Sequence, residues 1–195
     1  GGAAFSRTAT DQTQTEAFKR WFAGSKVVDA DGKPLVVYHG TNADFAEFDD
    51  SFQGSSGQGS GEPGFFFEAS AENAARYTSQ HRGGSNVMPT YLSIKDPLVV
   101  PRSSARYGYD GSFDRVAFAN FIDDALEAGN DGVIFEDVLD RGKRSTQYVA
   151  FRPEQIKSAI GNRGTFDPTS PDIRFSRTST ATGTQSDAFK KWFGD

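Results

Sequence analysis

Gly64-Phe65-Phe66-Phe67-Glu68-Ala69-Ser70-Ala71-Glu72-Asn73-Ala74-Ala75-Arg76-Tyr77 is the stretch on which the fold turns. Its aromatic run reads as a short strand. Ser70 reads as an N-cap, whose hydroxyl satisfies an orphan amide of the first helical turn, and Glu72 in that turn complements the positive end of the helix. The helix so opened carries Ala74, Ala75 and Tyr77. Upstream, Asp31-Gly32-Lys33-Pro34 is a turn signal and Leu35-Val36-Val37-Tyr38 reads as a buried strand. Residues 53–64 are rich in glycine and serine and are expected to form a mobile loop. Downstream, Val87 to Val100 reads as a strand, Tyr91-Leu92-Ser93-Ile94, broken by Asp96-Pro97. Ser112 is expected to cap a longer helix, whose apolar positions Ala117, Phe118, Phe121, Ile122, Ala125 and Leu126 keep the helical period. Asn130-Asp131-Gly132 turns into Val133-Ile134-Phe135, and Gln147 to Phe151 forms the last clear strand. Few long helices among many short strands predict the α+β class rather than a doubly wound parallel sheet.

A chain of 195 residues suits one domain with a real core, and 18 phenylalanines concentrate burial into a few large side chains. A net charge of −5 argues against a general binder of phosphate backbones. The basic stretch Arg141 to Arg144 reads first as a solvated loop. The absence of cysteine excludes disulfides, thiolate catalysis and cysteine-ligated zinc. With His39 and His81 the only histidines, a histidine-rich site is excluded too, and no metal is expected. No stretch approaches the roughly 20 apolar residues of a membrane span, and the N-terminus lacks the pattern of a signal peptide. A soluble, cytoplasmic protein without membrane association is therefore expected.

The two ends repeat each other. Phe5-Ser6-Arg7-Thr8 recurs as Phe175-Ser176-Arg177-Thr178. Each copy leads into a similar apolar-striped segment, Glu16-Ala17-Phe18-Lys19-Arg20-Trp21-Phe22 and Asp187-Ala188-Phe189-Lys190-Lys191-Trp192-Phe193. The expected organisation is a flexible linker over 1–12, a domain over 13–175, and over 176–195 a linker with the first helix of a following repeat. A duplicated docking helix within one domain is the alternative. Residues 177–186, rich in threonine and serine, are also expected to be flexible.

Three short motifs carry the chemistry. Tyr38-His39-Gly40-Thr41 ends a strand. A histidine there is more often structural, but a glycine allows close approach of the backbone to a flat ligand, and His39 and Thr41 offer hydrogen bonds. Gly64-Phe65-Phe66-Phe67 with Tyr77 reads either as ordinary core, which Phe65 and Phe67 fit best, or as an aromatic floor and wall for a planar ring. Thr146-Gln147-Tyr148-Val149-Ala150-Phe151, read as a strand, puts Gln147, Val149 and Phe151 on one face and Tyr148 and Ala150 on the other.

In this order, the three motifs resemble the diphtheria-toxin and poly(ADP-ribose) polymerase branch of the ADP-ribosyltransferases, which carries a His-Tyr-Glu set. His39-Gly40-Thr41 matches the first element and Gly64-Phe65-Phe66-Phe67 the second, with Phe66 at the tyrosine position. Tyr77 falls on a second stacking tyrosine, and Gln147 on the glutamate. The resemblance spans about Trp21 to Arg174. It is nearest to the transferase modules of large multidomain phage and mobile-element proteins, whose tail Gln155-Ile156-Lys157-Ser158-Ala159, Gly161-Asn162 and Gly164-Thr165-Phe166-Asp167 is similar to.

The resemblance implies a split β-sheet core with an NAD cleft and peripheral helices. It implies NAD as co-substrate, cleavage of the nicotinamide–ribose bond, and transfer of ADP-ribose to a macromolecular acceptor, a protein first and a nucleic acid second. It also implies a monomeric module of a larger protein, delivered into a host bacterial cell by phage or secretion. By the same resemblance His39 holds the adenosine-side ribose, the Gly40 backbone pins the nicotinamide amide, Tyr77 and Phe66 flank the ring, and Gln147 positions the reacting ribose. Thr41, Gly64 and Phe65 complete the expected cofactor-binding set, with His39 and Gln147 as the catalytic pair.

This sequence departs from the family at four points. Gln147 lacks the charge of a glutamate, whose loss costs on the order of 100- to 1000-fold in rate. Phe66 lacks a hydroxyl, and Ala74 stands where relatives often have serine. Ser145 stands where arginine-modifying members have Gln or Glu, so arginine is not the expected acceptor. Three readings of Gln147 stay open: a glutamine-using transferase, an engineered Glu→Gln change, and a binding-only relative. Free NAD hydrolysis is a further alternative. Glu68, Glu136 and Asp137 are other acids near strand ends, where exposed carboxylates are common. The segment Asp137 to Thr146 is expected to be a loop facing the acceptor.

Overall fold

Seven strands form one mixed sheet in the order β4-β5-β6-β2-β1-β3-β7. They are β1 (Val37–Thr41), β2 (Phe65–Glu68), β3 (Asn86–Leu92), β4 (Pro97–Val100), β5 (Gly132–Asp140), β6 (Lys143–Ala150) and β7 (Ile156–Ser158). Among the described residues three helices pack around it: α1 (Glu16–Phe22), α2 (Ala71–Thr78) and α3 (Arg115–Ala128). The computed structural model describes residues 12–41, 48, 63–78, 86–160, 162 and 166–173. Only β4 and β5 run parallel; every other neighbouring pair is antiparallel. The sheet and its helices make the α+β architecture read from the sequence. The glycine-rich stretch, save its last two residues, lies outside the described residues, as does the second copy of the terminal repeat.

The period of two divides the strand side chains between two cores. Val37, Phe65, Phe67, Ile134, Tyr148 and Ala150 join one buried cluster. Val133, Phe135, Val138 and Val149 join another, against Ala117, Phe118, Phe121, Ile122 and Ala125 of α3. Phe118 stacks on Phe135 with ring centroids 3.8 Å apart. Each fully buried Phe contributes about 1.5–3 kcal/mol by removal from water. A third cluster gathers Phe18, Trp21 and Phe22 of α1 around Tyr91, Ala159 and Phe166, and Trp21 Nε1 donates to the Glu154 carbonyl at 3.1 Å. The apolar stripe of α1 thus packs on the sheet's own domain.

Several boundaries differ from the sequence reading. The first strand begins at Val37, not Leu35, because Leu35 N–H bonds Val27 O at 3.2 Å and Val28 bridges Pro34, which holds that segment in a preceding turn. Asp114, not Ser112, caps α3: its carboxylate accepts from Ala117 N at 2.8 Å, while Ser112 N is taken by Asp110. The largest difference is at 137–146. The expected loop is a β-hairpin, with Asp140 opposite Lys143 and a two-residue turn at Arg141-Gly142. Both turn residues have positive φ (50° and 81°), which suits glycine and strains arginine. Contacts with α2 offset the strain: Arg76 Nη1 donates to Arg141 O (3.3 Å), and Arg141 Nη1 donates to Arg76 O (3.1 Å).

Candidate active site

β1 pairs with β3 at five register positions, but with β2 at only one, Tyr38 opposite Glu68. Among the described residues no further pair joins β1 to β2, so the sheet is split beyond that point. A strand that loses its neighbour exposes backbone polar groups that need partners. His39 Nδ1 lies 2.8 Å from the Phe66 carbonyl across the split, so its ring is held against the main chain of β2. His39 also packs edge-on to Phe48 (5.0 Å) and near Phe67 (5.4 Å). Burial there lowers the imidazole's affinity for a proton, which keeps the ring neutral.

On the opposite face, where β2 meets β6, four polar side chains converge. Glu68 stands directly across from Gln147, and the two are 5% and 3% exposed. Gln147 Nε2 donates to Glu68 Oε1 at 2.7 Å. The Tyr77 hydroxyl, reaching in from α2, lies 3.3 Å from Gln147 Nε2 and 3.4 Å from Glu68 Oε1, and donates closely to Asp140 of β5. Burial pushes the Glu68 carboxyl up to about 7, and the charge of Asp140 adds to the rise. Ser145, Gln147 and Tyr77 pull it back. The Ser145 hydroxyl nevertheless donates to the Thr146 carbonyl at 3.4 Å, and among the described residues Glu68 Oε2 has no hydrogen-bond partner. Burial and the neighbouring acids also push the Tyr77 hydroxyl pKa up, so it stays a proton donor. The Arg141 guanidinium lies over the Tyr77 ring, 5.0 Å from its centroid.

A family model described as ADP-ribosyltransferase in polyvalent proteins matches residues 29–166, which takes in every strand from β1 to β7. The chain belongs to this family. Neither a curated protein nor a solved structure matches it.

Within this ADP-ribosyltransferase domain, the residues named from sequence fall into two groups. Tyr77 and Gln147 meet directly. His39 does not join them: it stands on the other face and one strand away, linked to their neighbourhood through the Phe66 main chain. Gly40 and Thr41 continue β1 along the split, opposite Val87 and Asn86 of β3. Gly64 has φ +115°, and a Cβ there would meet Val149 Cγ1 at 2.5 Å, so packing against β6 accounts for this glycine. Phe65 is buried against Phe48 in the core, whereas Phe66 is half-buried at the edge of the α3 cluster. Among the described residues no group of His, Asp and Glu could hold a metal ion, and no helix is long and apolar enough to cross a membrane.

Sequence reasoning undervalued Glu68 and missed Asp140. The signal for Glu68 was present: two positions beyond Phe66, it shares that residue's face of the strand. What was not readable was that β6 and α2 cover it.

Proposed function

We propose that this ADP-ribosyltransferase domain binds NAD beside the β1–β2 split, releases nicotinamide and transfers ADP-ribose to a macromolecular acceptor, a protein before a nucleic acid. The observation that supports this most is the buried Glu68–Gln147–Tyr77 cluster lying next to a break in the sheet. There, one buried carboxylate oxygen, Glu68 Oε2, has no hydrogen-bond partner among the described residues, and β1 leaves β2 after a single register pair. A dinucleotide fits that chemistry: hydroxyls for Glu68 and Gln147, an amide for the Gly40 backbone, and a flat ring for Tyr77. Because Arg141 covers one face of Tyr77, a stacking ring takes the other face or displaces the guanidinium. His39, neutral and fixed on the Phe66 carbonyl, stands at the edge of the split, where its imidazole suits a ribose hydroxyl. Incubation with NAD labelled in its adenylate and with cell extract is expected to yield labelled protein and free nicotinamide. Neither product appearing would overturn the reading.

One observation favours a second reading. Gln147 carries no charge and its amide is engaged with Glu68, which suits a module that binds NAD or a target without turnover. That reading expects NAD to raise the melting temperature while no nicotinamide is released. Release of free ADP-ribose without an acceptor would instead mark NAD hydrolysis.

A further inference from the structure

A single oxygen stands out in this cluster. Glu68 Oε1 accepts from Gln147 at 2.7 Å, which fixes the carboxylate's orientation beside the Tyr77 hydroxyl, while Oε2 is buried with no hydrogen-bond partner among the described residues. Buried polar atoms are nearly always satisfied, and an exception beside the break between β1 and β2 points to a ligand group that completes it. We propose that Glu68, through Oε2, is the catalytic carboxylate of this site: it accepts a hydroxyl of the ribose that loses nicotinamide and stabilises the positive charge developing there. The assignment rests on the reading of the site as one that cleaves NAD.

The chemistry asks for such a group. When the ribose carbon–nitrogen bond breaks, its electron pair leaves with the nicotinamide nitrogen, which becomes neutral. The sugar is left oxocarbenium-like. The acceptor then gives an electron pair to that carbon, and its proton passes to solvent water. A fixed negative charge beside the sugar lowers this barrier, and a neutral amide does not. Gln147 therefore serves as a positioning residue. Directly opposed residues of antiparallel strands have Cβ atoms only about 4.5–5.5 Å apart, on one face. A carboxylate from position 68 of β2 thus reaches the space that one from position 147 of β6 would occupy. Asp140 is a poorer candidate, because it already accepts from Tyr77 and lies 4.0 Å from the Arg141 guanidinium.

The groups facing Glu68 are Tyr38 of β1 by register, Tyr77 of α2 with Arg141 above it, Asp140 of β5, and Ser145 and Gln147 of β6. Its carboxyl ionises at about 7, so nicotinamide release should climb as pH rises to about 7 and then level. Nicotinamide release from NAD, NAD affinity by calorimetry and the pH profile are to be measured for the wild type, Glu68→Gln and Gln147→Ala. Glu68→Gln, nearly isosteric, is expected to lower the rate about 100- to 1000-fold, to keep NAD binding and to lose the rising limb. Gln147→Ala is expected to keep that limb. Release by Glu68→Gln at the wild-type rate overturns the assignment. A wild type that binds NAD without releasing nicotinamide overturns the assignment while leaving NAD binding standing. A wild type that neither binds nor cleaves NAD overturns the NAD reading itself, and the assignment falls with it.

Discussion

Two residues apart on β6, and on the same side of the sheet, Val149 and Gln147 meet opposite surroundings. Val149 lies in a dry cluster with Val133, Phe118 and Phe135 beneath α3. Gln147 is as well buried, yet its neighbours are a carboxylate and a phenol hydroxyl, with a second acid beyond them. Phe135 is even its register partner on β5. One strand face thus passes from close-packed hydrocarbon to a polar nest within a single period. The first region lowers the free energy of the fold. The second raises it, because burying a carboxyl group with one bare oxygen costs energy that the rest of the domain must offset. Stability concentrated in one region and unspent polarity in the next is the pattern of a functional site on a rigid scaffold.

That contrast can be broken or sharpened by substitution. The largest effect belongs to the dry side: Phe118→Ala removes the ring stacked on Phe135 and is expected to destabilise the domain by about 3–5 kcal/mol, read from urea denaturation. A loss below about 1 kcal/mol would mean that α3 is not a main prop of the fold. On the polar side the sign reverses. The folded-state pKa of Glu68, about 7, lies above its ordinary value of 4.5, so the folded protein holds that proton more tightly. Its favourable contribution is complete below about 4.5 and is lost as pH rises through about 7. Glu68→Gln should therefore stabilise the protein at pH 8 by about 3 kcal/mol and change little at pH 4. Thermal unfolding at the two pH values checks this, and equal effects at both would refute it.

Smaller effects follow at the margins. Asp114→Ala removes the cap of α3 and should cost about 1 kcal/mol at neutral pH. Lys143 meets Glu72 at the exposed rim of the polar region, where an ion pair is worth little. Lys143→Ala should change stability by less than about 1 kcal/mol, so a larger loss would show the hairpin tip to be a structural clamp.

Much of this was legible in the chain because it is local. Alternation along Thr146 to Phe151 assigned its faces correctly, and the period of α3 placed Phe118 and Phe121 in the core. Helix caps and turns were less secure, since Ser112 and Asp114 are equally plausible by type and only the path of the backbone decides between them. The segment 137–146 misled because its charges and glycine read as a loop, whereas strand pairing from both sides carried β5 and β6 to a two-residue turn.

By itself the sequence determined the class of fold, the order of the motifs and which residues share a strand face, because these follow from periods of two and about 3.6 residues along the chain. Only the tertiary structure decided that Glu68 faces Gln147, that Tyr77 reaches both, and that His39 stands on the other side. Register and helix docking are set by the packing of distant segments, and a carboxylate's burial and proton affinity belong to its surroundings rather than to the residue.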